Sequence, residues 1–193
     1  MPKPPFFIRP TIICIFLFLS LNAEAETKKT LAPGNLFSLT ATAGGYLFAG
    51  TDHLEAAPIY GLKLGYDILG QSLADSLGIE ATFNYLNTES TIDSSIIEGG
   101  LIRIDATYPF IPRGKVVPLI AVGAGTIYLN KSPSKFKPLF NYGPSVKYFL
   151  NDYLALRLDL RHLLVYSDAH TRNNFEFTTG FSYIFGKEKK KKP

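Results

Sequence analysis

The C-terminal patterned segment constrains the fold of this chain most strongly. Every second side chain from residue 175 to residue 185 is aromatic or threonine: Phe175, Phe177, Thr179, Phe181, Tyr183 and Phe185. Apart from one isoleucine, the positions between them are small, polar or charged. Because successive side chains of a β-strand point to opposite faces, one face of this strand is an apolar wall. This profile is typical of a strand that crosses a membrane, with lipid outside and a packed or hydrated interior.

The N-terminal 25 residues have the composition of a secretory signal peptide. Two basic residues precede the apolar stretch 11–21, and the tripeptide 23–25 (Ala-Glu-Ala) supplies a small-x-small cleavage site. That stretch is much shorter than the roughly 20 apolar residues that a spanning helix needs. We therefore predict cleavage after Ala25. Cleavage removes Cys14, the only cysteine, so the exported chain has no disulfide and no thiolate nucleophile or metal ligand.

The length of the remaining chain suits a single domain. The formal net charge of +4 arises from the lysine-rich C-terminal tail, so the body of the chain is close to neutral and a nucleic-acid partner is not expected. We interpret the tail as a solvated end, with binding to anionic headgroups or wall polymer as the alternative. The predicted parts are a signal peptide at 1–25, an N-terminal linker at 26–35, an outer-membrane barrel at 36–186 and a Lys-rich periplasmic tail at 187–193.

Alternating segments, separated by polar or Gly/Pro-containing breaks, fill the chain after the signal peptide. No window in this part approaches 18 apolar residues, which excludes membrane-spanning helices on length. The alternating segments are 37–49, 58–68, 77–86, 97–110, 116–130, 136–150, 153–166 and 174–185. Hydrocarbon cannot satisfy the hydrogen bonds of exposed strand edges, so strands in a membrane must close into a barrel. The sequence therefore predicts an all-β fold, an eight-stranded antiparallel up-and-down transmembrane β-barrel.

The phase of the alternation places charged residues inside this barrel. In the seventh segment, for example, leucines alternate with Arg157, Asp159 and Arg161. The inward phase of all segments collects five cations and five anions: Lys63, Arg103, Lys147, Arg157, Arg161, Asp67, Glu80, Asp105, Asp159 and Glu176. A charge on the lipid face would cost roughly 2–4 kcal/mol near the midplane. Because an eight-stranded barrel is just wide enough for its own side chains, we predict a lumen plugged by ion pairs.

Aromatic residues near the predicted strand ends fit interfacial girdles. They are Tyr46, Phe48, Tyr85, Tyr108, Phe110, Tyr128, Tyr148, Tyr153, Tyr166 and Phe185. With both termini in the periplasm, the outward-facing connections are 50–57, 87–96, 131–134 and 167–173. The periplasmic connections are then 69–76, 111–115 and 151–152. External loops of such barrels are usually longer than periplasmic turns, and the connection 69–76 departs from this rule.

Several motifs resemble a known family. The stretch 142–162, which begins Tyr-Gly-Pro-Ser-Val-Lys and ends Arg-Leu-Asp-Leu-Arg-His, resembles the sixth strand, tight turn and seventh strand of small outer-membrane barrels of the outer membrane protein A transmembrane-domain type. The stretch 118–125, with its Gly-x-Gly spacing, resembles the fifth strand of that family, and 61–66 and 78–81 resemble its second and third strands. The likeness spans the chain from about residue 37. It implies an integral protein of the outer membrane of a Gram-negative bacterium.

The end of the last segment resembles the C-terminal assembly signal of the same family. The matching residues are Thr178, Gly180, Tyr183 and Phe185. The resemblance implies recognition by the barrel-assembly machinery during biogenesis. This chain departs from the pattern by continuing through 186–193, whereas many members end on the aromatic residue. Larger relatives continue into a peptidoglycan-binding domain, which those residues are too few to form.

No catalytic, cofactor-binding or metal site is predicted. His162 and Ser167 invite comparison with barrel hydrolases, but residues five apart on a strand point to opposite faces and lie about 16 Å apart, which is too far for a nucleophile and its base. The loop residues Asp52, His53 and Glu55, and also Asp168 with His170, lack the spacing of a metal site. We interpret them as solvated loop charge.

These observations favour a structural or surface-interaction role in the cell envelope over catalysis. The expected partners are outer-membrane lipid and, through the external loops, an extracellular partner. The first alternative is a narrow pore for ions or small solutes. The others are a soluble periplasmic barrel that binds an apolar ligand and a lipid-modifying barrel enzyme.

Overall fold

The computed structural model describes residues 34–48, 53–69, 77–110, 115–131, 135–167 and 170–185. The predicted signal peptide and Lys-rich tail lie outside these ranges. Eight strands are present: β1 (Gly34–Leu47), β2 (Ala57–Leu69), β3 (Leu77–Glu89), β4 (Ile96–Pro109), β5 (Val116–Leu129), β6 (Phe136–Phe149), β7 (Leu154–Tyr166) and β8 (Thr171–Phe185). They confirm the eight segments predicted from the alternation, with ends that differ by a few residues at most.

The strands form one closed sheet. Each strand pairs antiparallel with the next along the chain, and β8 returns to pair with β1 from Phe37↔Phe185 to Leu47↔Phe175. This closure confirms the predicted up-and-down barrel and leaves no free strand edge in the described sheet. No helix among the described residues is long and apolar enough to cross a membrane.

The outer wall of the barrel is apolar. Outward-facing side chains such as Leu64, Ile104 and Phe181 are each 60% or more exposed, although a soluble protein would bury most residues of this kind. In β3 the burial pattern alternates strictly along the whole strand, and the buried members include Glu80 and Asn84. This arrangement contradicts the soluble barrel alternative, which requires the apolar phase to face inward.

The two ends of the barrel differ in what fills the interior. We call proximal the end where β1 begins and β8 ends, and distal the end that carries the connections 48–56, 90–95, 130–135 and 167–170. An apolar cluster, the distal apolar layer, fills the lumen at the distal end. Its buried members are Tyr46, Ala57, Ile59, Leu86, Leu101, Ile127, Leu129, Leu139, Leu163 and Val165. The sequence reasoning expected a polar lumen and missed this layer.

Tyr46 corrects the prediction of interfacial girdles. It is fully buried inside the barrel, where the side-chain amide of Asn174 donates a hydrogen bond of 2.9 Å to its hydroxyl. The neighbouring Phe48 packs against the distal apolar layer, with its ring centroid 4.7 Å from that of Tyr46. The prediction was wrong because it weighed the position near a strand end above the phase, and Tyr46 shares the inward phase of Thr40 and Thr42.

Candidate functional site

Charged side chains from six strands meet in the barrel interior on the proximal side of the distal apolar layer. Arg157 on β7 joins two carboxylates across this space. Its Nη1 and Nη2 both donate to Glu80 on β3, with 2.7 Å between Nη2 and Oε2, and its Nε lies 2.9 Å from Oδ2 of Asp159. All three side chains are almost fully buried. A bidentate contact of this kind fixes direction as well as charge.

Asp159 is shared by further cations. Lys63 Nζ on β2 lies 2.7 Å from its Oδ2, although the two residues are 96 positions apart in sequence, and Arg161 Nη2 lies 3.0 Å from its Oδ1. The hydroxyl of Ser145 donates to the same Oδ1 at 2.5 Å. The carboxylate therefore joins β2, β6 and β7 within the lumen.

A second group of contacts crosses from β4 to β8. Arg103 donates to both oxygens of Glu176, at 2.6 and 2.7 Å, and its Nε lies 3.3 Å from Asp105. The side-chain amide of Asn141 on β6 donates to Asp105 at 2.8 Å. Together these contacts connect strands on opposite sides of the barrel.

The proximal mouth contains the most exposed pair of the lumen. Lys147 Nζ lies 2.8 Å from Asp67 and 3.7 Å from Glu80. The side chain of Asp67 is 21% exposed, whereas those of Glu80 and Asp159 are fully buried. All ten charged residues of the predicted lumen cluster face the interior, and Asp67 is the most exposed of them.

Arg161 also supports the barrel wall where a backbone ladder is interrupted. The β6–β7 ladder includes Tyr142↔His162 and Ser145↔Asp159 but none of the pairs between them. This interruption contains Pro144, which has no N–H to donate. Arg161 Nη1 donates to the carbonyl oxygens of Gly143 and Pro144 at 3.1 and 3.2 Å. The guanidinium thus contributes hydrogen bonds to the backbone beside the interruption.

The charges of the lumen balance, with five cations and five anions. Burying one unpaired charge costs several kcal/mol, while a paired and hydrogen-bonded set offsets most of that cost. Six buried side-chain atoms of the described residues have no hydrogen-bond partner: Thr42 Oγ1, Thr82 Oγ1, Asn84 Oδ1, Asn141 Oδ1, Arg161 Nε and Thr178 Oγ1. Buried polar atoms of this kind are commonly hydrogen-bonded to water.

His162 lies on the outer wall, away from the lumen. Its Nδ1 is 2.7 Å from the hydroxyl of Tyr142, and its Nε2 is 3.1 Å from Oδ1 of Asn173. Ser167 pairs instead with the backbone of His170. Sequence reasoning missed the contact with Tyr142. A signal was present, because residues 142 and 162 are equidistant from the tight turn at 152 and share the outward phase.

Of the loop residues considered as metal ligands, the structure describes His53, Glu55 and His170. His53 has a left-handed backbone with φ of 52°, and Glu55 N donates to Glu89 O at 2.9 Å. Asp52 and Asp168 lie outside the described residues, and no three His, Cys, Asp or Glu side chains within those residues are placed to hold a metal. In the connection 90–95, hydrogen bonds from Ser90 and Ser95 lower the pKa of the Asp93 carboxyl.

The residues of the predicted assembly signal lie on the strand that closes the barrel. Thr178 is buried in the lumen, and Gly180 pairs with Thr42 on β1. Tyr183 and Phe185 are 52% and 44% exposed on the outer wall near the proximal end. The ring of Phe185 stacks on Phe37 of β1 with 5.9 Å between centroids.

A closed antiparallel barrel with an apolar outer wall and an ionic interior defines an integral protein of the bacterial outer membrane. The family comparison reaches the same class. Residues 11–185 match the model of the outer membrane protein beta-barrel domain, and the chain belongs to this family. It lies in the outer membrane, and the resemblance to barrels of the outer membrane protein A type is confirmed.

Solved structures of low sequence identity share the fold. Neisserial surface protein A is 12% identical, with a TM-score of 0.53 over 79% of this chain and 97% of that one. The N-terminal barrel of Pseudomonas aeruginosa OprF is 17% identical, with a TM-score of 0.52 over 79% and 98%. A major outer membrane protein from Thermus thermophilus is 14% identical, with a TM-score of 0.51 over 79% and 100%. No curated protein sequence matches this chain.

Proposed function

We propose that this protein is a structural, non-catalytic barrel of the outer membrane, closed to ions and solutes by the ion pairs of its lumen. The observation that carries the proposal is that three fully buried ion pairs each join strands that are not neighbours in the barrel. They are Lys63–Asp159 between β2 and β7, Arg103–Glu176 between β4 and β8, and Arg157–Glu80 between β7 and β3.

Two layers in series support a closed lumen. The charged layer contains Arg103, Arg157 and Arg161, which are among the largest fully buried side chains. The distal apolar layer follows it along the axis, and a hydrated ion would have to lose water to pass such a constriction. A conducting pore would need both layers to open at the same time.

Conductance in planar lipid bilayers tests the closed barrel against the narrow pore. We expect no stable open state above the lipid background for the wild-type protein. Arg103→Ala/Glu176→Ala, which removes two side chains that cross the lumen, should raise the frequency of conducting events. Tyr85→Phe, on the outer wall, is the control and should behave as the wild type. A steady open state of the wild-type protein would overturn the proposal in favour of the pore.

We infer that the distal connections form the contact surface for an extracellular partner. The connections 48–56 and 90–95 contact each other through the hydrogen bond from Thr91 N to His53 O at 2.8 Å. Thr88 Oγ1, at the end of β3, donates to Glu55 O at 2.7 Å. An ordered surface loses less conformational entropy on binding than a free loop does. Replacing residues 90–95 with a Gly-Ser segment should abolish the binding of the protein to extracellular ligands or host cells, while the barrel still folds. Unchanged binding of whole cells would contradict this role.

We also propose that Thr178, Gly180, Tyr183 and Phe185 are recognised by the barrel-assembly machinery. The two aromatic residues remain exposed on the outer wall near the proximal end, where they are accessible before lipid surrounds the strand. Phe185→Ala should lower the amount of folded protein in the outer membrane several-fold. Phe175→Ala, on the same face of β8 but outside the signal, is the matched control. Equal loss in both variants would show a general effect of aromatic removal and contradict the proposal.

A further inference from the structure

The outer wall carries a polar cluster in its distal half, on three neighbouring strands. We call Tyr142, His162 and Asn173 the outer polar cluster; they lie on β6, β7 and β8. The histidine ring bridges the other two, at 2.7 Å from the tyrosine hydroxyl and 3.1 Å from the asparagine oxygen. It also stacks on Phe175 with 4.8 Å between centroids. The contacts fix the ring in one orientation on the lipid-facing surface.

The cluster lies in the distal half of the membrane-spanning strands. Outward positions of β7 from Leu154 to Leu160 are all leucine, and His162 is the first polar residue that follows. On β8 the outward residues from Phe185 to Phe175 are aromatic or threonine, and Asn173 follows them. A tilted strand crosses the hydrocarbon with about 9–11 residues. His162 and Asn173 therefore lie about one hydrocarbon crossing from the proximal ends of β7 and β8, while the apolar outward face of β6 continues past Tyr142 to Phe140 and Phe136.

The hydrogen-bond capacity of the cluster suits an anion. A protonated imidazole would donate from both nitrogens, from Nδ1–H to the Tyr142 oxygen and from Nε2–H to the Asn173 oxygen. The hydroxyl hydrogen of Tyr142 and the amide hydrogens of Asn173 are then free to point outward. Two donors beside one positive charge match a phosphate oxygen group.

The surrounding wall offers no competing charge. Among the described residues on the outward faces of β6, β7 and β8, His162 is the only histidine, acidic or basic side chain. Below the cluster, Leu158, Leu160 and Phe177 are 43–53% exposed and provide an apolar surface for acyl chains. We propose that the outer polar cluster binds the phosphate headgroup of a membrane lipid, with its acyl chains along β7 and β8.

The test compares two lipids that differ only in the phosphate. Purified protein in detergent is titrated with dioleoyl phosphatidic acid or with dioleoylglycerol, and bound lipid is counted by native mass spectrometry. We expect phosphatidic acid to bind at least about tenfold more tightly, which is the effect of a hydrogen bond to a charged group. Equal retention of both lipids would overturn the proposal.

Variants of the cluster residues test whether phosphatidic acid binds at the outer polar cluster. Tyr142→Phe and Asn173→Leu should each lower the preference for phosphatidic acid about tenfold, and His162→Leu should lower it further. Tyr66→Phe removes an outer-wall hydroxyl near the proximal end and is the matched control. Heat-modifiable migration on gels verifies that every variant is folded. A preference that survives in Tyr142→Phe and Asn173→Leu, or falls equally in Tyr66→Phe, would overturn the assignment.

Nuclear magnetic resonance of the histidine rings distinguishes other occupants. Phosphatidic acid should shift the ring resonances of His162, assigned by their loss in His162→Leu, while inorganic phosphate at the same concentration leaves them unchanged. An equal shift with inorganic phosphate would show a site for the free ion and overturn a lipid site. A dimer cross-linked through this face that excludes phosphatidic acid would show that a second copy of the chain is the occupant.

Discussion

At the scale of single residues, each charge in the lumen depends on its partner. Glu176 accepts two hydrogen bonds from Arg103 at 2.6 and 2.7 Å, and both side chains are fully buried. Glu176→Leu leaves the guanidinium with only the 3.3 Å contact to Asp105 among the carboxylates. Removing one member of a buried pair costs about 3–5 kcal/mol. We expect a loss of that size in the free energy of unfolding, measured by urea titration and the gel shift of the folded band.

The double variant separates the effect of the two charges from the effect of the space that the two side chains fill. Arg103→Met/Glu176→Leu removes both charges, and apolar replacement of a whole buried pair is often neutral. Its unfolding midpoint should lie above that of Glu176→Leu. Glu98→Gln, on the exposed end of β4, should stay within about 0.5 kcal/mol of the wild type. A double variant less stable than the single one would contradict the account.

The sequence predicted the face of each charged residue but not its partner. The period of two assigns Lys63 and Asp159 to the interior, while their 2.7 Å contact depends on how far the sheet is staggered when it closes. No local sequence pattern determines how far the closed sheet is staggered. Tyr46 shows the reverse case, since its inward phase was present in the sequence and the prediction gave more weight to its place near a strand end.

At the scale of strands, close approach of neighbouring backbones explains the Gly-x-Gly spacing of β5. A Cβ added at Gly125 would overlap the carbonyl oxygen of Ile102 and the Cα of Arg103, both on β4, whereas a Cβ added at Gly45 on β1 would meet nothing within 4 Å. Backbone atoms cannot rotate away as a side chain can. Gly125→Ala should therefore lower the free energy of unfolding by about 1–3 kcal/mol.

The matched control for this strand-level prediction is Gly45→Ala. Here the added methyl group has open space, and the loss of glycine freedom in the unfolded chain makes the change neutral or slightly stabilising. Both variants are compared by the urea midpoint of the folded band. Equal destabilisation of the two would indicate a general need for glycine in the strands and contradict the steric explanation.

The distal apolar layer was present in the pattern of the strands and was overlooked. Ile59, Leu101 and Leu163 continue the inward phase of Lys63, Arg103 and Arg161 toward the distal end. The sequence reasoning selected inward residues by charge and did not follow the phase to the strand ends. Strand position and face were therefore predictable, and so was the two-layer filling of the lumen. The interrupted β6–β7 ladder was not, because a proline alone does not show which group replaces its missing donor.

At the scale of the whole molecule, the two ends of the barrel meet different compartments. The side chain of Asp67 is 21% exposed at the proximal mouth, while the distal end of the lumen is filled by the apolar layer. Both chain termini of the barrel lie at the proximal end. Up-and-down barrels of the outer membrane usually place their short turns in the periplasm, so we expect the proximal end to face the periplasm.

Single cysteines test this orientation in intact cells. The chain has one cysteine, Cys14, which lies in the predicted signal peptide, so an introduced thiol is unique after cleavage. Thr91→Cys in a distal connection should react with a membrane-impermeant maleimide on intact cells. Lys115→Cys, exposed at the proximal end, should react only after the outer membrane is permeabilised, because the barrel and its lipid separate it from the reagent. The opposite labelling pattern would invert the topology, and the distal connections could then no longer contact an extracellular partner.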